Sequence, residues 1–155
     1  QHVTPVLVLS LIHPQRFVLE RHVEVCRVLA SAAAEFSVPG MAEFMRQVLS
    51  AELIYADEDF AALAVLGSSV MLHADHTYLD HPLHGVVSGV EARGIGVEIR
   101  VYGCDPDNAE SAARHRGDMI LSGAMDKPHG LRECHIVGPE GYVFVPSRSN
   151  RQHHA

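Results

Sequence analysis

The sequence predicts an α+β fold made of two βαβββ units, and three observations carry that prediction. Short apolar runs of strand length alternate with only two amphipathic helical segments. Those segments occupy equivalent places in two successive halves of the chain. A polar stretch with a proline and no periodicity separates the halves. Each unit holds one helix against one small sheet, leaving the other sheet face to a shared core or cleft.

The first unit starts with a small, apolar strand at 25–33 (VCRVLASAA). Pro39 and Gly40 precede a helix, in which Met41, Phe44, Met45, Val48 and Leu49 recur at helical spacing. AELIYADEDF follows as a strand ending in charges, and FAALAVLGSSVMLHA reads as two strands joined at Gly67-Ser68-Ser69. The segment HADHTYLDHPLHG reads as a linker loop. In the second unit GIGVEIRVYG is a strand. Asp105 and Pro106 then start a helix through NAESAARHR, which stops at Gly117. DMILSGAM, LRECHIV and YVFVPS are three further strands, the last two joined by the turn Gly138 to Gly141. The units cover about 25–75 and 93–147, with a linker at 76–92, within one domain of 25–147. Residues 1–24 form an N-terminal arm outside the repeat and 148–155 a tail.

Composition narrows the function. With 155 residues, 47% hydrophobic and 20% charged, the chain suits one compact soluble domain. Its net charge of −7 argues against nucleic acid as a partner. No apolar run reaches the ~20 residues of a membrane helix. The apolar stretch Val3 to Ile12 lacks a basic segment before it and a cleavage site after it, so a strand or packed arm is expected rather than a targeting signal. Three well-separated cysteines, Cys26, Cys104 and Cys134, do not make a disulfide framework and fit a reducing, cytoplasmic setting.

FMRQVLSAELIY and DKPHGLRECHIVGPEGYVF resemble two motifs of the vicinal oxygen chelate superfamily, which includes glyoxalases, bleomycin resistance proteins and extradiol dioxygenases. The helix motif there commonly reads FYRDVLGFEL, matched by Phe44 to Leu53. The C-terminal motif commonly reads DKPWGLREFxVxDPDGYxxxF, matched by Asp126 to Phe144. The resemblance spans about 25–147 and implies that the paired modules curl into a half-open barrel around a concave cleft. It also implies, for metal-dependent members, one His, Gln or Glu ligand on each of the first, fourth, fifth and eighth strands of the repeat. Motif alignment puts those positions on Ala30, Met71, Val97 and Val145, none of which can hold a divalent ion. A shift of one residue would bring Glu98 into the third position.

No cofactor and no metal is therefore expected. The function implied is metal-independent binding or sequestration of a small molecule, an antibiotic being one possibility, by a homodimer. The cleft walls expected are Val28, Ala30, Met71, Val97, Ile99, Val143 and Val145, with His73 at the rim. Pairing LRECHIV with YVFVPS so that Ile136 faces Val143 adds Arg132 and Cys134 to the concave side and turns Glu133, His135 and Phe144 away. Arg132 becomes the expected anchor for an anion or carbonyl. Cys134 and His135, adjacent on one strand, point to opposite faces and make no catalytic pair. The alternative is a metal-dependent lyase or dioxygenase holding Zn, Ni, Mn or Fe through displaced ligands drawn from His73, Glu98 and His135. The histidines and acids of His73 to His84 have workable metal spacing as well, against a plain solvated loop.

Overall fold

The computed structural model describes residues 7–11, 26–30, 37–82, 84–87, 90 and 93–150. Strand β1 (Leu7–Leu11) and strand β2 (Cys26–Ala30) precede helix α1 (Val38–Leu49). Strands β3 (Glu52–Ala56), β4 (Phe60–Val65) and β5 (Ser68–Ala74) complete the first unit. The linker carries a 3-10 turn, Asp75–Tyr78, and a single-turn helix α2 (His84–Val87), where sequence suggested only loop. The second unit is β6 (Val97–Tyr102), α3 (Pro106–Arg116), β7 (Met119–Asp126), β8 (Leu131–Val137) and β9 (Val143–Ser149). The βαβββ repeat is present in both halves.

Local chemistry sets the element ends. Helix α1 begins earlier than its apolar spacing suggests, because the Ser37 hydroxyl accepts from the Gly40 N–H at 3.1 Å. Pro39 and Gly40 thus lie in the first turn, where proline has no donor to lose. The Asp105 carboxylate accepts from the N–H groups of Asp107 and Asn108, and Gly117 closes α3 at φ 87°. The β4–β5 turn is the two residues Leu66 and Gly67, both at positive φ, with Val65 paired to Ser68. It lies one residue earlier than the Gly67-Ser68-Ser69 turn read from sequence.

Two sheets result, in the orders β2-β5-β4-β3 and β1-β6-β9-β8-β7. In each unit the first strand runs parallel to the last. Strand β1, from the N-terminal arm, adds in parallel to the free edge of β6.

Both helices lie on the same side of their sheets and touch each other, so one core serves both units. Met41, Phe44, Met45, Val48 and Leu49 of α1 meet Ala61, Leu63, Val65, Val70 and Leu72 of the first sheet. Ala109 and Ala113 of α3 meet Val101, Cys134, Ile136 and Phe144 of the second. The rings of Phe44 and Phe144, both fully buried, lie 4.9 Å apart and join the two halves. Truncating Phe144 to alanine should therefore lower unfolding free energy by about 3–5 kcal/mol. Equilibrium urea denaturation, with the unfolding slope unchanged, checks this value.

Candidate functional site

The helices cover one face of each sheet, and the opposite faces, open in the sense that no helix among the described residues lies on them, carry the alternate side chains. In the first sheet that open face carries Phe60, Ala62, Met71 and His73, since Ala61, Leu63, Val70 and Leu72 alternate with them toward α1. His73 stacks at 4.8 Å on Phe60 and 5.0 Å on Tyr78, and Tyr78 meets His81 at 4.7 Å. His76 pairs with Asp59 at 3.1 Å. His73 and His81 thus meet aromatic rings, and His76 meets a carboxylate. Among the described residues no group of three or more His, Cys, Asp or Glu side chains could hold a metal ion.

The second sheet departs from the face assignment made above. Ile136 pairs with Phe144 and Val137 with Val143, one residue away from the expected register. The cause is the connection, a 3-10 turn at Pro139–Gly141 with Glu140 at φ 59°, closed by Gly138 N–H donating to the Tyr142 carbonyl. A one-residue slip exchanges every side chain between faces. Cys134 and Ile136 therefore turn to the helices with Phe144, and Glu133 and His135 turn to the open face with Val143 and Val145. Strand β6 obeys the same alternation. Glu98 and Arg100 stand beside Val143 and Val145, while Val97 and Ile99 face the core.

Four expected cleft residues are thereby relocated. Ile99 and Cys134 are fully buried under the helices, and Val97 packs against the same core. The Cys134 thiol donates to the Pro106 carbonyl at 3.3 Å, and burial pushes its pKa up to about 12, which removes it as a nucleophile. Arg132 is on this side too. Its guanidinium makes two bonds to Asp107 at 2.6 and 2.8 Å and one to Asp126, so it braces α3 instead of reaching toward a ligand. Met71, His73 and Val143 lie on the open side, and Val145 lies on that side but is fully buried. Val28 pairs with Leu72 and Ala30 with Ala74, while Arg27 stands beside Met71.

What the open face of the second sheet holds is a charge cluster spanning β9. Arg100 binds Glu98 through Nε at 2.7 Å and Glu133 through Nη1 at 3.0 Å. His129 Nε2 lies 3.4 Å from the same Glu133 oxygen, and His135 Nε2 lies 3.9 Å from Glu98. Strand β9 lies between β6 and β8. The Arg100–Glu133 bridge and the Glu98–His135 approach therefore both pass over it. Val145 and Ser147 beneath are fully buried, and Ser147 Oγ and His135 Nδ1 are buried polar atoms without a hydrogen-bond partner. Burial pushes the Glu133 carboxyl up, but Arg100 and then His129 outweigh it and hold the group below its ordinary value. Burial likewise lowers His135, against the opposing pull of Glu98 and Glu133, which favours a neutral imidazole. Sequence reasoning named Glu98 and His135 but not Arg100, His129 and Glu133 with them, because the register of β8 with β9 decides which side chains share the face. The signal available was the charge alternation Glu98-x-Arg100 in GVEIRVY.

No protein-family model matches the sequence, and no curated protein does. Solved structures do match. A glyoxalase/bleomycin resistance protein/dioxygenase family enzyme from Burkholderia phytofirmans PsJN superposes with a TM-score of 0.65 at 15% identity, over 81% of this chain and 96% of that one. This chain has the glyoxalase/bleomycin resistance/dioxygenase fold. A glyoxalase/bleomycin resistance protein/dioxygenase from Nocardioides matches at 0.57 and 20% identity, over 87% and 92% of the two chains. TioX from Micromonospora sp. ML1 matches at 0.54 and 19%, over 81% and 98%. The motif resemblance implies ligand positions on the fourth and eighth strands of the repeat for metal-dependent members. Here those positions are Met71 and Val145, and the nearby Glu98 is bound to Arg100.

Replacing Arg100 with methionine would strand a buried carboxylate, an effect of about 3–5 kcal/mol for a pair broken on one side. Wild-type Glu133 sits below its unfolded value, so its stabilisation is complete above that value and fades as pH falls through the folded one. In Arg100→Met the burial effect loses its main opponent, and protonation then relieves the penalty. The stability gap between the two proteins should therefore narrow from pH 7 toward about pH 4. Urea denaturation across that range checks it, and a gap that widens in acid would refute the assignment.

Proposed function

We propose that this chain binds a small organic molecule on its open face without a metal ion, sequestering the molecule and leaving it unchanged. The observation that carries the reading is the guanidinium of Arg100 between Glu98 and Glu133. It commits the carboxylates that could otherwise serve a metal, while Met71 and Val145 offer no ligand atom. The open faces combine Phe60, Met71 and Val143 with a few fixed polar groups, the mixture that binding sites for small molecules use. Antibiotics are candidate ligands. A second reading, a metal-dependent lyase or dioxygenase, draws support from the approach of His135 to Glu98 and from the Burkholderia neighbour's description as an enzyme.

The assembly proposed is a homodimer. Strands β3 and β7 each form one edge of their sheets and carry exposed apolar side chains, among them Ile54 and Met119, each 64% exposed. Uncovered apolar edges invite pairing with another chain. A cytoplasmic setting remains consistent with Cys104 and Cys134 being free thiols.

Elemental analysis of natively purified protein should find no stoichiometric Zn, Ni, Mn or Fe. Thermal-shift screening against antibiotics, thiol conjugates and catechols should give at least one compound that raises Tm, because a ligand of the native state must stabilise it. One tightly held metal per chain, lost on Glu98→Gln, would replace this reading with the enzymatic one. Light scattering should give twice the chain mass for the wild type, and Ile54→Lys should shift the protein toward monomer without unfolding it. A monomeric wild type would dispose of the dimer.

A further inference from the structure

We infer that the Arg93-Gly94 corner, held to the first unit by Asp75, is the positioning element that sets which side chains the second sheet presents on its open face. The inference deepens the ligand-binding reading by naming the residues that place its polar groups, and rests on that reading for calling the face a binding face. Glu98, Arg100, Glu133 and His135 share the face only because β6, β8 and β9 pair in one register. Gly94 ties all three strands together. Its N–H donates to the Glu140 carbonyl at 2.8 Å, in the turn between β8 and β9. Its own carbonyl accepts from the Val97 N–H at 2.9 Å, at the start of β6. A Cβ on residue 94 would lie 2.1 Å from the Tyr142 backbone nitrogen, so no residue but glycine fits. Glu140, buried and at φ 59°, is thus gripped at the point where the turn sets the register.

Arg93 makes this corner a junction between the units. Its Nη1 and Nη2 donate to Asp75 Oδ1 and Oδ2, a two-pronged pair between residues eighteen positions apart, and its Nε donates to the Val90 carbonyl at 3.1 Å. The Arg93 side chain is 6% exposed and that of Asp75 22%, so removing one partner strands the other largely out of water. Asp75 raises the Arg93 pKa against burial, and Glu140 and Tyr142 add to it, which places the cation within electrostatic reach of the turn. Asp75 directly follows β5, and Tyr78 of the same 3-10 turn stacks on His73 at 5.0 Å. One largely buried ion pair therefore joins the end of the first open face to the corner that registers the second.

The test follows amide hydrogen exchange and the His135 titration by NMR in wild type, Asp75→Asn and Gly94→Ala. In both variants the amides of 136–144 should exchange at least about tenfold faster, the scale of one lost charge-assisted hydrogen bond, while those of β4 stay unchanged. Burial lowers the His135 pKa in the wild type, and as the turn loosens that pKa should rise toward its ordinary value. Should Gly94→Ala fail to fold, Asp75→Asn carries the same readouts. Faster exchange spread evenly over β4 and β8 would mean that the pair adds only overall stability. Protection lost within 75–94 alone would mean that it holds only the linker. Either result overturns the inference, as does no change at all. None of these readouts involves a ligand, so their failure leaves the metal-free binding reading standing. A thermal-shift screen without a single hit would remove that reading and leave the control of register intact.

Discussion

Phe44 leaves the first helix and meets Phe144 of the last strand at 4.9 Å, both rings wholly withdrawn from solvent. That contact joins two units that are otherwise separate sheets. Each unit alone would cover one side of a four- or five-stranded sheet with a single short helix, and such a small core is marginal. Setting the two helices side by side makes one layer in which the interior of each unit continues into the other. Burying an aromatic side chain contributes ~1.5–3 kcal/mol, and the ring pair adds ~0.5–1.5. Because the helices occupy one side, the opposite faces of both sheets are, among the described residues, left without a helix over them. The site is thus a consequence of where the core was placed.

The charges on that open face follow from the same placement. A strand covered on one side alternates apolar and polar residues, and β6 and β8 do so with Ile99 and Cys134 inward and Arg100 and Glu133 outward. Outward does not mean solvated here. Arg100 and Glu133 reach each other across β9, bury Val145 and Ser147 beneath them, and leave Glu133 with only 3% of its side chain exposed. An ionised carboxylate so deeply covered persists only when bonded to a cation. The chain supplies that cation itself, two residues from Glu98 on the same strand.

Much of the architecture was legible from local signals. The helix periodicity around Phe44, the Asp105-Pro106 start, the Gly117 stop and the three closing strands each rest on interactions within a few residues. The motifs of Phe44 to Leu53 and Asp126 to Phe144 pointed to the fold that the solved structures bear out. The sidedness of β8 was not legible, since it depends on one residue of slack in the turn after Val137. Glu140 at positive φ in that turn shifted the register and reversed Arg132, Cys134, Glu133 and His135 together. The same argument applies to Val97 and Ile99, whose face depends on alignment with β9.

DKPHGLRECHIVGPEGY, the run densest in reactive groups, divides between two uses. Arg132 and Cys134 bind α3 to its sheet, whereas Glu133 and His135 reach residues more than thirty positions earlier in the chain, at Arg100 and Glu98, and His129 lies beside Glu133. The sequence by itself determined that two βαβββ units would form, because that follows from residue type and short-range pattern. Tertiary structure alone decided which side chains share the open face. That choice rests on strand register, and register is settled only when a turn closes and two strands pair.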